Sequence, residues 1–578
     1  MFRIALAVAL LSASAALAAD WPQWRGPDRS NVSKETGLLD EWPKDGPPLA
    51  WKATGLGDGV APVSVAGGRV FTTGNAGDDV ICTALAEKDG KQLWSVKLGP
   101  AAKEAGVMRW LAQAAPTVDG DRLHAVTASG DYVCLSADTG KELWRKHFAK
   151  DLEGKKSGWG FCDYPLVDGD RLIICPGGDK NTLTALDRKT GEVVWSCPIK
   201  GEYAAHSALI AAEFGKVRQY VVHLGRGMYG ISTKGELLWK YTGLSSGTAN
   251  THAPIAHDGG LFFANGYGTG YGLLKPDRKD DSWLAEELYR QKAATAPWLG
   301  SPTRVGDHVL LTTSGLACLD WKTGTVTWEE KKVGRCTYTV ADGKVFVRGQ
   351  SGKLFLAPVD PKEWKLASEF TPPRPDKGQP AWTYPVVANG HLYIRDYDTL
   401  LCYDVRDPDR PKKKVPDAVF VPTPPDVVAK MLELAAVKKD DVVYDLGSGD
   451  GRIVIAAAKT HGCQAVGVEL DKELVEKSRD RAKEAKVEKL VMFEQDDLFE
   501  ADFSKATVVA LYILPTMSKK LIPKFDKLKP GSRIVSHCFP IPGVKPDKVV
   551  RVTSDEDDVE RPVYLYTIPL SKEKPGVP

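Results

Sequence analysis

Leu186–Trp195 (LDRKTGEVVW) is one copy of a repeat whose other copies are Leu135–Trp144 (LSADTGKELW), Leu319–Trp328 (LDWKTGTVTW) and Ile231–Trp239 (ISTKGELLW). Each copy is a strand end, a turn closed by Gly191, Gly140, Gly324 or Gly235, and a strand that carries a tryptophan. Glycine suits the left-handed backbone that such hairpin turns require. A second hairpin signal lies upstream, as in Val118–Leu123 and Val167–Leu172 (both VDGDRL), so one unit predicts four short antiparallel strands. The tryptophans of the repeat stand at 51, 94, 144, 195, 239, 283, 328 and 364, close to the spacing of ~40–50 residues expected of a propeller blade. Trp283 and Trp364 lack the Thr-Gly turn. The last unit, Tyr384–Val405, has three strand-like runs and no tryptophan strand after it, while Trp51 has no blade before it. Joining the two predicts a closed ring of eight, in which residues 49–55 complete the blade of 384–405 and both sheet edges are hidden.

The rest of the composition agrees with a folded chain of more than one domain. Of 578 residues, 43% are hydrophobic and 26% charged, which excludes disordered and collagen-like architectures. The net charge of +2 gives no global field to recruit nucleic acid or an anionic membrane. Met1–Ala18 has the form of a secretory signal: Arg3, an apolar run Ile4–Leu11, and Ala16-Leu17-Ala18 before the cleavage point. The expectation is export to the periplasm or cell envelope, with no transmembrane segment in the remainder. None of the ten cysteines forms a CxxC pair, and no histidine stands at metal-finger spacing, so no metal is expected. Cys134, Cys318 and Cys402 occupy a repeat position filled elsewhere by Ala84 and Ala185, which predicts small buried core residues.

These repeats resemble the propeller repeats of pyrroloquinoline-quinone (PQQ) enzymes, whose docking motif A-x-D-x-x-T-G-x-x-x-W is matched in full by Ala185, Asp187, Thr190, Gly191 and Trp195. The resemblance covers about residues 20–407 and implies an eight-bladed β-propeller. Such propellers occur in quinoprotein dehydrogenases and in the lipoprotein that helps assemble outer-membrane barrels.

At Arg406–Pro416 (RDPDRPKKKVP) the pattern changes. The expected division is a signal peptide over 1–18, a propeller over 19–407, a linker over 408–416 and a second domain over 417–578. In that second domain strands Val442–Leu446, Ala465–Glu469, Leu490–Glu494, Thr507–Tyr512 and Ser532–His537 alternate with amphipathic helices such as Lys472–Lys486. This order predicts a mostly parallel sheet covered by helices on both faces.

The turn after the first of these strands is Asp445-Leu446-Gly447-Ser448-Gly449-Asp450-Gly451. Glycines let the backbone bend sharply beside a ligand, and the helix that follows points its amides at the turn. Glu469 closes the second strand, where an acid can accept both hydroxyls of a ribose. Gln495-Asp496-Asp497 closes the third, where a carboxylate can meet an adenine amino group. D-x-G-x-G-x-G with an acid ending the second strand resembles the class I S-adenosylmethionine (SAM) methyltransferases. The resemblance implies an α/β Rossmann-like domain in which Asp445, Gly447, Ser448, Gly449 and Gly451 hold the methionine part of SAM, Glu469 the ribose, and Asp496 or Asp497 the adenine.

Phe420–Pro424 (FVPTP) and Leu511–Pro515 (LYILP) resemble the small methyltransferases related to the ATP synthase c-subunit lysine methyltransferases. This adds Thr423 to the implied cofactor-binding set, and Tyr512, Pro515 and His537 as candidate lining of the acceptor pocket. Tyr512 and His537 read equally well as residues that pack at strand ends. LYILP stands in place of the N-P-P-Y of enzymes acting on amides and base amines, and the domain has no basic stripe, so nucleic acid is not the expected acceptor.

The function implied is SAM-dependent methylation, of protein and at lysine, with the propeller docking the protein substrate or partner. The alternatives are a non-enzymatic envelope scaffold and a PQQ-dependent dehydrogenase. The dehydrogenase needs a calcium-binding carboxylate cluster and usually adjacent cysteines, and no two cysteines here are adjacent. The export signal stands against the fact that SAM is made in the cytoplasm, where the chain would otherwise remain.

Overall fold

Short alternating runs between glycine turns fold into eight four-stranded antiparallel units, seen in a computed structural model. It describes residues 20–102, 114–243, 245–246, 249–280, 282–292, 300–374, 379–409, 422–556 and 560–572. The signal segment, most of the 408–416 linker and Phe420-Val421 lie outside the described residues. The chain divides into two units, Met1–Lys412 and Lys413–Pro578.

In the first unit the blade containing the opening repeat is Leu166–Asp168, Arg171–Ile174, Leu183–Asp187 and Val193–Cys197, paired in that order. Its turn is built by Asp187, whose Oδ1 accepts from the Lys189 and Thr190 amides and the Thr190 hydroxyl. Asp320 does the same for Lys322 and Thr323. The turns at Gly90, Gly140, Gly191 and Gly235 lie beneath Trp51, Trp94, Trp144 and Trp195 of the preceding blade. A Cβ on Gly191, already at φ +74°, would stand 2.7 Å from the Trp144 ring, so the ladder both staples neighbouring blades and requires glycine there. Cys134, Cys318 and Cys402 pair in register with Trp144, Trp328 and Trp51, at the position that Ala185 takes opposite Trp195, and all are buried.

Two members of the ladder differ from the expectation. In the fifth blade the hairpin is lengthened to Gly270–Lys279 and Ser282–Gln291, which moves Trp283 out to the turn, opposite Arg278. Tyr289 takes the ladder position: it stacks over Gly324 of the next blade and donates its hydroxyl to the Trp321 carbonyl at 2.9 Å. Trp364 lies outside the strands and packs on Trp328. Phe370 takes its place, over the Gly46 turn.

Ring closure follows the matching deficits at the two ends. Leu49–Ala53 pairs antiparallel with Thr399–Asp404, Trp51 opposite Cys402, and completes the eighth blade. The segment before it was not foreseen. Residues 20–38 run along the inside of the ring and touch the innermost strands of seven blades. Trp21 bridges Val65, the Pro22 carbonyl accepts from the Val118 amide, and Asn31 donates to Thr303 and to the Tyr338 carbonyl. Val32–Ser33 adds a parallel strand beside Val340–Ala341, and Ser33 donates to the Val387 carbonyl. Buried Arg29 donates to the carbonyls of Pro165 and Leu209, and buried Arg25 to that of Pro302. Trp24 stacks on Tyr164 at 4.6 Å. Contacts on opposite sides of the ring mean that this segment fills its interior at that level.

The second unit is one seven-stranded sheet: β1 (Val442–Leu446), β2 (Gln464–Glu469), β3 (Val491–Gln495), β4 (Val508–Leu511), β5 (Arg533–His537), β6 (Lys548–Thr553) and β7 (Glu560–Thr567), in the order 3-2-1-4-5-7-6. The first five run parallel. β6 and β7, which the sequence reading lacked, form an antiparallel hairpin at the edge. Helices α1 (Pro425–Leu434), α2 (Arg452–His461) and α3 (Lys472–Glu484) bury their apolar residues with Val443, Ala465, Val508 and Val535 on one face, and α4 (Pro515–Phe525) packs with Leu446, Val509 and Ile534 on the other. Among the described residues no helix is long and apolar enough to cross a membrane.

Removing residues 20–56 takes away both the closing strand and the inner segment. The truncated chain should aggregate through the exposed edge of Thr399–Asp404, as read by light scattering. A monomeric truncation with a cooperative melt would contradict the closure described here.

Candidate active site

β1 and β2 are parallel with Leu446 opposite Val468, so the turn after β1 emerges beside the end of β2. The Gly447 and Ser448 amides both donate to the Val468 carbonyl (2.9 and 3.0 Å), and the Gly449 amide donates to Glu469 Oε2 at 2.8 Å. Glu469 Oε1 accepts from the Asp471 amide at 2.9 Å. Ser478, from α3, donates to the Gly449 carbonyl at 3.0 Å. A Cβ on Gly451, at φ +76°, would stand 2.7 Å from the Phe493 ring, so the turn can descend onto β3 only without a side chain there.

Asp445, at 2% exposure, is the last residue but one of β1, on the face covered by α1 to α3. Burial, with the Glu469 and Asp450 carboxylates nearby, pushes its carboxyl up to about 8, so it is protonated at neutral pH in the free protein. Asp450 behaves oppositely. Its carboxylate is paired with Arg452 (2.8 Å) and Arg481, which hold its pKa below the usual range despite burial. Asp450 thereby ties α2 to α3. Arg452 also donates to the Thr423 carbonyl at 2.8 Å, which fixes the chain entering α1.

Thr423 meets the acceptor candidates rather than the turn: its hydroxyl lies 3.1 Å from His537 Nδ1. The His537 ring is buried, and its Nε2 has no hydrogen-bond partner. Burial, aided by Arg561, lowers its pKa to about 4, so the imidazole is neutral. Tyr512 packs on it with ring centroids 4.1 Å apart, and Phe539 stacks on Tyr512 at 6.1 Å. Pro515 opens α4, half-buried, just beyond. Asp496 and Asp497 follow β3. Asp496 is exposed, and Asp497 is half-buried with Oδ1 accepting from the Phe499 amide. The structure thus brings together the turn and Glu469 on one side, and Thr423, Tyr512 and His537 on the other, along the carboxyl edge of the sheet.

Five contributors went unread in the sequence. Asp450 and Arg452 lie within and after the glycine motif but gave no signal of a pair. Phe493 sits beneath the turn, and Cys538-Phe539 wrap around Tyr512 only because β5 pairs with β7. In the propeller, the inner end of the ring is filled by Trp24, Arg25 and Arg29, and among the described residues no three His, Cys, Asp or Glu side chains converge as a cation site.

Strand order 3-2-1-4-5-7-6, a glycine turn beside an acid ending β2, and helices on both faces define a class I SAM-dependent methyltransferase. Residues 445–548 match the ANTKMT methyltransferase domain, and residues 77–330 match the outer membrane protein assembly factor BamB. A protein-lysine N-methyltransferase of Saccharolobus islandicus is 44% identical over 156 residues, 27% of this chain and 96% of the relative. With that coverage, the chain belongs to the protein-lysine N-methyltransferase family. An adenine nucleotide translocase lysine N-methyltransferase of Mus musculus is 36% identical over 114 residues, 20% of this chain and 50% of that relative. A solved RNA methyltransferase from Salinibacter ruber, in complex with S-adenosyl-L-homocysteine, is 53% identical, covering 27% of this chain and 98% of its own at a TM-score of 0.25.

Two outcomes are expected of SAM binding, measured by calorimetry on the full chain. If Glu469 accepts the ribose hydroxyls, Glu469→Ala removes charge-assisted hydrogen bonds worth ~1.5–3 kcal/mol each, so affinity should fall tenfold or more. Asp497→Ala should cost less, because water can replace a contact at a half-exposed rim. Equal losses would contradict the assignment. The second outcome follows from Asp445. A cationic ligand beside it favours the ionised carboxylate, so binding releases its proton and affinity should rise from pH 6 to 7.5. Asp445→Asn should flatten that rise, and an affinity independent of pH in the unaltered protein would contradict it.

Proposed function

We propose that the protein transfers a methyl group from SAM to the side-chain amine of a lysine in a protein substrate, with the propeller as the surface that docks that substrate. The observation that carries this reading is the row of side chains along one sheet face. Asp445 pairs in register with Ala510, two residues before Tyr512, and Tyr512 packs on His537. The acidic end of the row suits a cationic cofactor, and the aromatic end suits an uncharged amine.

In this reading Asp445 and the Gly447–Gly451 backbone hold the methionine part of the cofactor, Glu469 the ribose, and Asp496 or Asp497 the adenine. The bound sulfonium supplies an already activated methyl group, so the protein's task is alignment and exclusion of water. Glu469 keeps lone pairs for a ligand beyond those used by the Gly449 and Asp471 amides. Tyr512 and Phe539 line the path of the acceptor's alkyl stem, with Pro515 at its mouth. His537, neutral and held by Thr423 through Nδ1, offers Nε2 to the amine. Neither ring is assigned as a general base.

The domain division carried with this proposal is a signal peptide over 1–18, a propeller over 19–407, a linker over 408–416 and a transferase over 417–578. The BamB-like repeats and the form of Met1–Ala18 support an envelope location. SAM supply favours methylation before the chain leaves the cytoplasm, or a cofactor route to the envelope.

The full chain, incubated with methyl-tritiated SAM and extract of its native host, should label protein, and acid hydrolysis should return the label as methyllysine. Label that is sensitive to ribonuclease would replace lysine with RNA as acceptor. Absence of any transfer, with SAM bound, would leave the envelope scaffold as the function.

A further inference from the structure

The stretch that enters α1 is Pro422-Thr423-Pro424-Pro425. Its three prolines have no amide to donate, and each fixes its own φ. A residue before proline is confined to extended backbone, and the branched Cβ of threonine stiffens its χ1. A bond that fixes the Thr423 carbonyl therefore also fixes where its hydroxyl points. Arg452, at the start of α2, makes that bond. Its Nη1 donates to the Thr423 carbonyl at 2.8 Å, while Nε and Nη2 grip the two oxygens of Asp450 at 2.9 and 2.8 Å. Asp450 belongs to the glycine turn and is also paired with Arg481 of α3. At the other end, the Thr423 hydroxyl lies 3.1 Å from His537 Nδ1, and both residues are buried. His537 Nε2 has no partner among the described residues, and the ring packs on Tyr512. One chain of contacts thus runs from Asp450 through Arg452 and Thr423 to His537, from the turn to the acceptor pocket.

We propose that Arg452 is a positioning residue of methyl transfer. Seated on the glycine turn through Asp450, it sets Thr423 so that the hydroxyl accepts from His537 Nδ1–H and Nε2 is left bare for the acceptor amine. The inference rests on the lysine reading of the site. A threonine hydroxyl can accept from Nδ1–H or donate to a bare Nδ1. In the second arrangement the ring proton sits on Nε2 and engages the amine lone pair that must reach the methyl carbon. In the first, Nε2 accepts an N–H of the uncharged amine and leaves that lone pair free. The step balances. The lone pair forms the bond to the methyl carbon, the carbon–sulfur pair stays on sulfur, and the positive charge passes from sulfur to nitrogen. The N–H held by Nε2 is neither made nor broken. Because the chain of contacts begins on the turn, the two reacting groups are aligned by one set of bonds. Breaking that set costs rate more than affinity, since transfer slows steeply with small misplacements of bound partners.

Nitrogen-15 NMR of the full chain labelled at histidine, with His537→Gln to assign the ring, reads the tautomer without cofactor or substrate. The unaltered protein should show Nδ1 protonated and Nε2 bare. Arg452→Gln should mix the two tautomers. So should Thr423→Val, which keeps the shape and removes the hydroxyl, and Thr423→Ser should restore the single form. Arg481 still holds Asp450 in Arg452→Gln, so SAM affinity by calorimetry should stay within about threefold, the worth of a part-exposed ion pair. With methyl-tritiated SAM and a peptide bearing one lysine, each variant should lose about tenfold in kcat with the peptide KM little moved. The double variant should lose no more than either alone, because the two residues act in series. Nε2 protonated in the unaltered protein, a His537 signal unmoved by Arg452→Gln, or losses that multiply in the double variant overturns the proposal. So does SAM affinity lost in step with the rate, which makes Arg452 a support of the turn alone. If the unaltered protein shows the expected tautomer and binds SAM, yet methylates no lysine in peptide or host extract, the lysine reading fails and this inference with it. That result is read on the unaltered protein and is distinct from failure of the variants.

Discussion

The bond from the Gly449 amide to the Glu469 carboxylate is the contact on which the second unit's site depends. It fastens the turn after β1 to the end of β2, at the edge where a parallel sheet opens its carboxyl ends to a ligand. The Val468 carbonyl takes the two preceding amides and Ser478 takes the Gly449 carbonyl, so the turn is held from both sides by neighbours in the fold. Glu469 thereby fixes the backbone through both oxygens, accepting from the Gly449 and Asp471 amides. Asp445 lies deeper, and burial, with Glu469 and Asp450 nearby, pushes its carboxyl up to about 8. Glu469 serves as the anchor of the turn, while Asp445 is the group whose proton answers to its surroundings.

From that anchor the chemistry changes along the sheet edge. Asp445, Tyr512 and His537 come from β1, the end of β4 and β5, on one face. The row runs from an acid to neutral rings. The propeller solves a different problem. A ring of eight blades must hide its final edge and fill its interior, and the first described residues do both: Leu49–Ala53 closes the edge, and Trp24, Arg25 and Arg29 occupy the inside.

What was legible in the sequence was whatever is periodic or local. The Thr-Gly turns and tryptophans recur because each blade repeats one packing problem, and Trp51 without a blade before it gave away the closure. Asp445–Gly451 and Glu469 were visible because a turn and the next strand end lie close in sequence. Tyr289 was hidden behind Trp283 because lengthening the fifth hairpin moved the tryptophan off the register. The inner segment was hidden because its residues follow no period, and arginines that will donate to buried carbonyls look like any others. Cys538 and Arg561 were hidden because only the antiparallel return of β7 brings them together.

The central claim is that this chain methylates protein lysine from the row beside its glycine turn. Quantitative mass spectrometry of lysine methylation in the native host, with and without the gene and separated into cytoplasmic and envelope fractions, tests it most directly. The account predicts that methyl groups vanish from specific lysines when the gene is removed, return with the intact gene, and stay absent with the Glu469→Ala form. Lysine methylation unchanged in every fraction would contradict it.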